Sequence, residues 1–167
     1  MSARVKVLLI VLLVPMLAYG ALTLAVGRDG VWPLLFGPGN REPVFPAAFV
    51  SPGSPNWWLV CPPGLCAAAS AESPVFAVPA DRLRAEVERM LVRDGARIEG
   101  GDARRIAAEV RTPLLRFPDL VSVEVRPLDG ERSTLAILSR SVYGHSDLGT
   151  NRRRVTAWLD TLRRAFP

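Results

Sequence analysis

Residues 7 to 27, from Val7 to Gly27, carry no charged side chain, and no other feature restricts this chain as much. At 1.5 Å of rise per residue, a helix of that length covers roughly 30 Å, the thickness of a bilayer's hydrocarbon core. We expect a transmembrane anchor at 7–27 behind a short cytoplasmic N-terminus at 1–6. Arg4, Lys6 and the amino terminus make one flank positive, whereas Arg28 and Asp29 cancel on the other, so the positive-inside rule exports everything beyond the span. A cleaved signal peptide is the alternative. The apolar run is longer than a signal core, and no clear small-x-small site follows a short apolar stretch. The expected location is the bacterial inner membrane, single-pass, with the C-terminal domain periplasmic.

The chain has 167 residues, and removing the span and the proline-rich stretch behind it leaves about 100, enough for one core but not for an added cofactor domain. We expect no cofactor. The net charge of +5 invites a nucleic-acid reading, but residues 61–167 hold 17 basic and 14 acidic side chains, and Lys6 is the single lysine. So even a balance gives no phosphate-tracking face, and no nucleic-acid partner is expected. The surplus collects in the last 21 residues, where Arg152, Arg153, Arg154, Arg163 and Arg164 meet only Asp147 and Asp160. Anionic lipid head groups stay open as a partner.

Between the span and the folded part, 28–54 is spaced by Pro33, Pro38, Pro43, Pro46 and Pro52. Proline removes a helical donor and clashes with the preceding turn, so we expect an extended, semi-rigid tether without helix. Trp32, Phe36, Phe45 and Phe49 are unusual in a solvated linker, and part of it must pack. Trp32 suits an interfacial aromatic belt; Trp57 and Trp58 are expected to cover the core of a domain at 55–167. Cys61 and Cys66 bracket Pro62, Pro63, Gly64 and Leu65. A Pro-Gly turn brings the flanking residues within disulfide reach, and in an exported domain they should be joined. Two thiolates and a distant His145 are too few for a metal site.

The folded part reads as strand, helix, four strands, helix. Ser73 to Val78 is β-prone. Leu83, Val87, Met90 and Leu91 form a helical stripe started by Pro79 and ended by Gly95. Ile106, Ala108 and Val110 alternate with Arg105, Glu109 and Arg111, and Val121, Val123 and Val125 alternate with Ser122, Glu124 and Arg126, the signature of half-buried strands. Asp129-Gly130 signals a hairpin into Ser133–Val142. Leu148, Val155, Trp158, Leu159, Leu162 and Phe166 form the stripe of a terminal helix. The class is α+β: an antiparallel sheet of order β-α-β4-α with its helices on one face. The terminal helix should lie across the concave side, an arrangement that can leave a cavity there.

The densest polar run holds Ser139, Arg140, Ser141, Gly144, Ser146, Asp147, Gly149, Asn151, Arg152 and Arg154. These residues resemble the signature of the domain of unknown function 1499 (DUF1499) family, Ser-Arg-Ser, a Gly, then Ser-Asp-x-Gly-x-Asn-Arg-x-Arg running into the last helix. Pro55-Asn56 and Phe117-Pro118-Asp119 extend the resemblance over 55–165, while Trp57 and Trp58 depart from it. The resemblance implies no activity, because the family has none established.

Physically, Ser146 or Asp147 can cap the last helix. Arg140, flanked by apolar Leu138 and Val142, would need acceptors such as Asp147 or Asn151, making a buried network that locks helix to sheet. The other reading is an anion site built from the helix N-terminus, Arg140, Asn151 and Arg152. Ser141, His145 and Asp147 contain the residue types of a triad, but crowding within seven residues of one strand end argues against that geometry, so no catalytic residue is assigned and an enzyme ranks last. The leading reading is a binding or accessory module for a lipid or small amphiphile. An assembly or structural subunit with a membrane-protein partner is the alternative, and a hydrolase comes third.

Overall fold

The computed structural model describes residues 2–167. The chain divides into two compact units, up to Asn40 and Arg41–Pro167. In the first, helix α1 spans Ala3–Val26 and runs unbroken through Pro15, with none of its residues buried. It is long and apolar enough to cross a membrane, a property that anchors and signal sequences share. A short helix, α2 (Val31–Phe36), follows, with Trp32 stacked on Phe36 and tilted against Tyr19. Helix was not expected here. Pro33 is admitted because it is the third helical residue, where the missing N–H has no intrahelical acceptor to lose.

The second unit is built on a seven-stranded sheet. Its strands are β1 (Trp57–Cys61), β2 (Ala71–Glu72), β3 (Val75–Phe76), β4 (Arg97–Gly101), β5 (Arg105–Arg111), β6 (Pro118–Pro127) and β7 (Ser133–Ser141). Helix α3 (Ala80–Arg93) separates β3 from β4, and α4 (Thr150–Ala165) follows β7. The spatial order is β2-β1-β7-β6-β5-β4, with β3 beside β7. Every pairing is antiparallel except β1 with β2. The class is α+β, as expected. Strand β1 was not foreseen: Leu59, Val60 and Cys61 are all buried, so the alternation that marks a half-exposed strand is absent.

Helices α3 and α4 cover one face. Leu83, Val87, Met90 and Leu91 from α3 and Val155, Trp158, Leu159 and Leu162 from α4 meet Val60, Ile106, Val121, Val123, Leu135 and Ile137 of the sheet in one core. The end of α3 is a Schellman closure, with Ala96 N–H donating to Leu91 O and Gly95 N–H to Val92 O. Gly95 takes the positive φ of 79° that the motif demands. Trp158 Nε1 donates to Asp94 Oδ2 at 2.8 Å and pins the terminal helix to this corner. Leu148, expected in the α4 stripe, lies outside the helix and is exposed.

The opposite face was expected to be solvated, yet Glu109, Ser122 and Glu124 are buried. The reason is the segment from Arg41 to Phe49, which belongs to this unit and lies over that face. Phe49 packs with Leu59 and Leu138 and meets Trp57 edge-on, and the Arg105 guanidinium sits 4.9 Å from the centre of the Phe45 ring. Arg41 pairs with Glu109. Pro46 opens a single 3-10 turn at Pro46–Ala48. Cys61 and Cys66 form a disulfide with a Cα–Cα distance of 6.1 Å, across a turn closed by Leu65 N–H donating to Pro62 O.

The sheet's margins are irregular. In β4 the register shifts between Ile98 and Gly100, leaving Glu99 bulged. Gly101 follows at a φ of 143°, where a Cβ would stand 2.2 Å from the Arg105 carbonyl oxygen. The other margin is made of the two-residue strands β2 and β3.

Candidate functional site

The polar run assembles at the junction of β6, β7 and α4. In β7 the side chains of Ser139 and Ser141 point toward α4, so pleating sends Arg140 to the other face, where its Nη2 donates to the Glu42 carbonyl at 2.8 Å. The arginine that enters the junction is Arg154, one turn along α4. Its Nη2 donates to Asp119 Oδ2 at 2.6 Å, and the two side chains are only 9% and 2% exposed. Arg154 Nη1 donates to Ser139 Oγ and to Asn151 Oδ1 at 3.1 and 3.0 Å. Ser139 Oγ donates to Asn151 Oδ1 at 2.6 Å. Ser141 Oγ donates to the other Asp119 oxygen, also at 2.6 Å.

Asn151, fully buried, closes the circuit by donating from Nδ2 to Ser141 Oγ and to the Asn56 carbonyl. Asn56 in turn donates from its own Nδ2 to Gly144 O at 2.6 Å. Burial pushes the Asp119 carboxyl up from its ordinary range, against the pull of Arg154 and the hydrogen bonds from Ser141 and Arg154. Each side-chain oxygen of Asp119 and Asn151 is therefore engaged within the protein, an arrangement that joins helix to sheet.

The remaining run residues are placed as follows. Asp147 stands two residues before the Gly149 cap, and its carboxylate accepts from Gly149 N and Asn151 N at 2.9 and 2.7 Å. It caps α4 from farther out than expected. Ser146 Oγ accepts from Leu148 N. Arg152 lies over the Trp58 ring, 5.1 Å from its centre. The residues of the alternative anion site are not brought together, because Arg140 is on the far face and Asn151 is saturated. His145 is exposed, and with Ser141 given to Asp119 and Asp147 to backbone amides, the three triad residue types do not converge.

A cavity of about 550 Å³ opens on the face covered by Arg41–Phe49. The space that the terminal helix could have left is filled, because its stripe packs onto the sheet. Ala107 of β5 pairs with Ser122 of β6, and these two small side chains leave room between Leu120 and the proline-rich segment above. Pro43 and Phe45 form the roof, and Arg41, Arg97, Arg105, Glu99, Asp102 and Glu109 ring the cavity. Glu109, 5% exposed, is held by Arg41 and by Arg111 Nε at 2.7 Å. Sequence reasoning missed this place, since Ala107 and Ser122 look like ordinary strand residues; the only signal was the run of aromatics within the tether. It missed Asp119 as the partner of Arg154, although Phe117-Pro118-Asp119 stood out.

Residues 66–162 match the family described as protein of unknown function (DUF1499). No curated protein matches the chain.

Proposed function

The chain belongs to the DUF1499 family, and from that premise and the chain's own geometry we propose that it is a membrane-anchored binding module for a lipid or small amphiphile, which sits in the cavity between the Arg41–Phe49 segment and the sheet. The observation that carries this reading is the cavity itself: about 550 Å³, within the range of small-molecule sites, with an apolar floor and a charged rim. Ala107, Leu120, Pro43 and Phe45 would take an acyl or other apolar body, and Arg41, Arg97 and Arg105 would meet a polar head. In this reading α1 is a retained single-pass anchor in the bacterial inner membrane, with residues 1–6 cytoplasmic and the C-terminal unit periplasmic. An assembly subunit is less favoured, because Phe45 and Phe49 are engaged within the unit and do not offer themselves to a partner.

The test is native mass spectrometry of the full chain extracted in detergent, followed by titration with the fluorescent apolar probe 1-N-phenylnaphthylamine. A co-purifying amphiphile and saturable probe binding are expected, with binding lost in Ala107→Leu. No added mass and no saturable binding would sink the reading.

A further inference from the structure

Among the described residues, two other than glycine adopt positive φ: Arg116 at 59° and Leu148 at 52°. Such a conformation costs free energy in a residue that bears a side chain, and it persists where the surroundings impose it. Both residues occur at the same end of the sheet. Arg116 lies in the β5–β6 loop (112–117) and Leu148 in the β7–α4 loop (142–149). The loops are neighbours: Val142 N–H donates to Pro118 O, and a depression of about 230 Å³ is lined by Thr112 and Phe117 from one and by Tyr143 and Leu148 from the other.

The strained backbone displays what a folded domain ordinarily hides. Leu148 is 85% exposed and Leu114 is 78% exposed, with Leu115 also in solvent. The Leu148 conformation is held from behind, since Arg153 Nη1 donates to Leu148 O at 2.8 Å and Nη2 to Thr150 Oγ1.

The charge at this end is positive on balance. Within the two loops, β6's first residues and the first turn of α4, the carboxylates are Asp119 and Asp147. The first is buried against Arg154, and the second is committed to the amides of Gly149 and Asn151. Arg152 and Arg153 at the start of α4 are exposed and outnumber Asp147. Exposed leucines beside guanidinium groups suit an anionic bilayer surface, whose phosphates take the arginines while the acyl boundary takes the leucines.

We propose that the paired loops around Leu114 and Leu148 form a docking tip for a phospholipid surface containing anionic lipids. The proposal concerns the second unit alone and does not depend on the cavity reading.

The experiment places an environment-sensitive nitrobenzoxadiazole label on the full chain at Leu148→Cys, Leu114→Cys or, as the control in the β6–β7 hairpin at the other end of the sheet, Leu128→Cys. The native cysteines are joined and do not compete for the label. Each protein is reconstituted in nanodiscs of phosphatidylcholine alone or with phosphatidylglycerol, with doxyl-labelled lipid as quencher. Emission at positions 148 and 114 is expected to shift to the blue and to be quenched in the phosphatidylglycerol discs, more than in phosphatidylcholine alone, while position 128 stays in water. Arg152→Gln should weaken that shift. Having two labelled positions keeps the test open if one variant fails to fold. Labels at 114 and 148 that remain in water in the anionic discs, or that behave like position 128, would overturn the proposal and give the leucines to a protein partner.

Discussion

The two faces of the sheet are closed by different materials. One is covered by α3 and α4, whose stripes repeat at helical spacing and interdigitate with Val121, Val123, Leu135 and Ile137. The other is covered by Arg41–Phe49, a proline-punctuated segment that meets the sheet through one apolar cluster at Phe49, the Arg41–Glu109 ion pair and the Arg105 guanidinium over Phe45. A helix brings a side chain to the sheet every three or four residues and can fill a surface continuously. An irregular strap touches where its few aromatics allow and leaves space between them. The contrast teaches that the same sheet has one face filled continuously and one that keeps a cavity.

The sharpest way to break that comparison is to remove one arginine from each side. Arg154→Ala strands Asp119 in a low-dielectric place and should cost about 3 kcal/mol or more, read by thermal unfolding of the full chain in detergent. Arg140→Ala, which loses a hydrogen bond to the Glu42 carbonyl on the strap side, should cost about 1 kcal/mol. Equal losses would show that the two faces do not differ in this way.

The Arg154 variant also has a pH signature. Burial raises the folded-state pKa of Asp119 above its ordinary value, so between those two values the folded chain holds a proton that the unfolded chain releases, and Asp119's contribution to stability declines as pH rises through that window. Without Arg154 the carboxyl rises further. The deficit of Arg154→Ala relative to wild type should therefore be larger at pH 8 than at pH 5, and a pH-independent deficit would contradict the burial argument.

A finer cut uses two adjacent alanines of β5. Ala108 belongs to the helix-side core, and Ala108→Leu should overpack it at a cost of about 1–3 kcal/mol. Ala107 borders the cavity, where added methylenes enter empty space, and Ala107→Leu should change stability by less than about 1 kcal/mol. Parallel melts of the two variants measure the difference directly.

That asymmetry also explains what could be read from the sequence. The α3 stripe of Leu83, Val87, Met90 and Leu91, the alternation in β5 and β6 and the Asp129-Gly130 hairpin were legible because each is a local period with a local cause. The polar run stood out by its density alone. Which arginine turns inward was not, because Arg140 and Arg154 differ only in which way the strand pleat and the helix turn present them once β7 and α4 have met. Strand β1 was hidden by burial on both sides. The cavity was invisible because it depends on small residues at 107 and 122 coming into register across two strands, beneath a segment far away in sequence.

The bulge at Glu99 and the Gly101 backbone bear on a different matter. A sheet that ends in a long, flat strand offers a row of free amides and carbonyls to any copy of itself. Here one margin is kinked within a five-residue strand and the other is made of the two-residue strands β2 and β3. A second molecule finds no straight template on either side, so the sheet is protected from strand-by-strand growth into aggregates even where many copies crowd together.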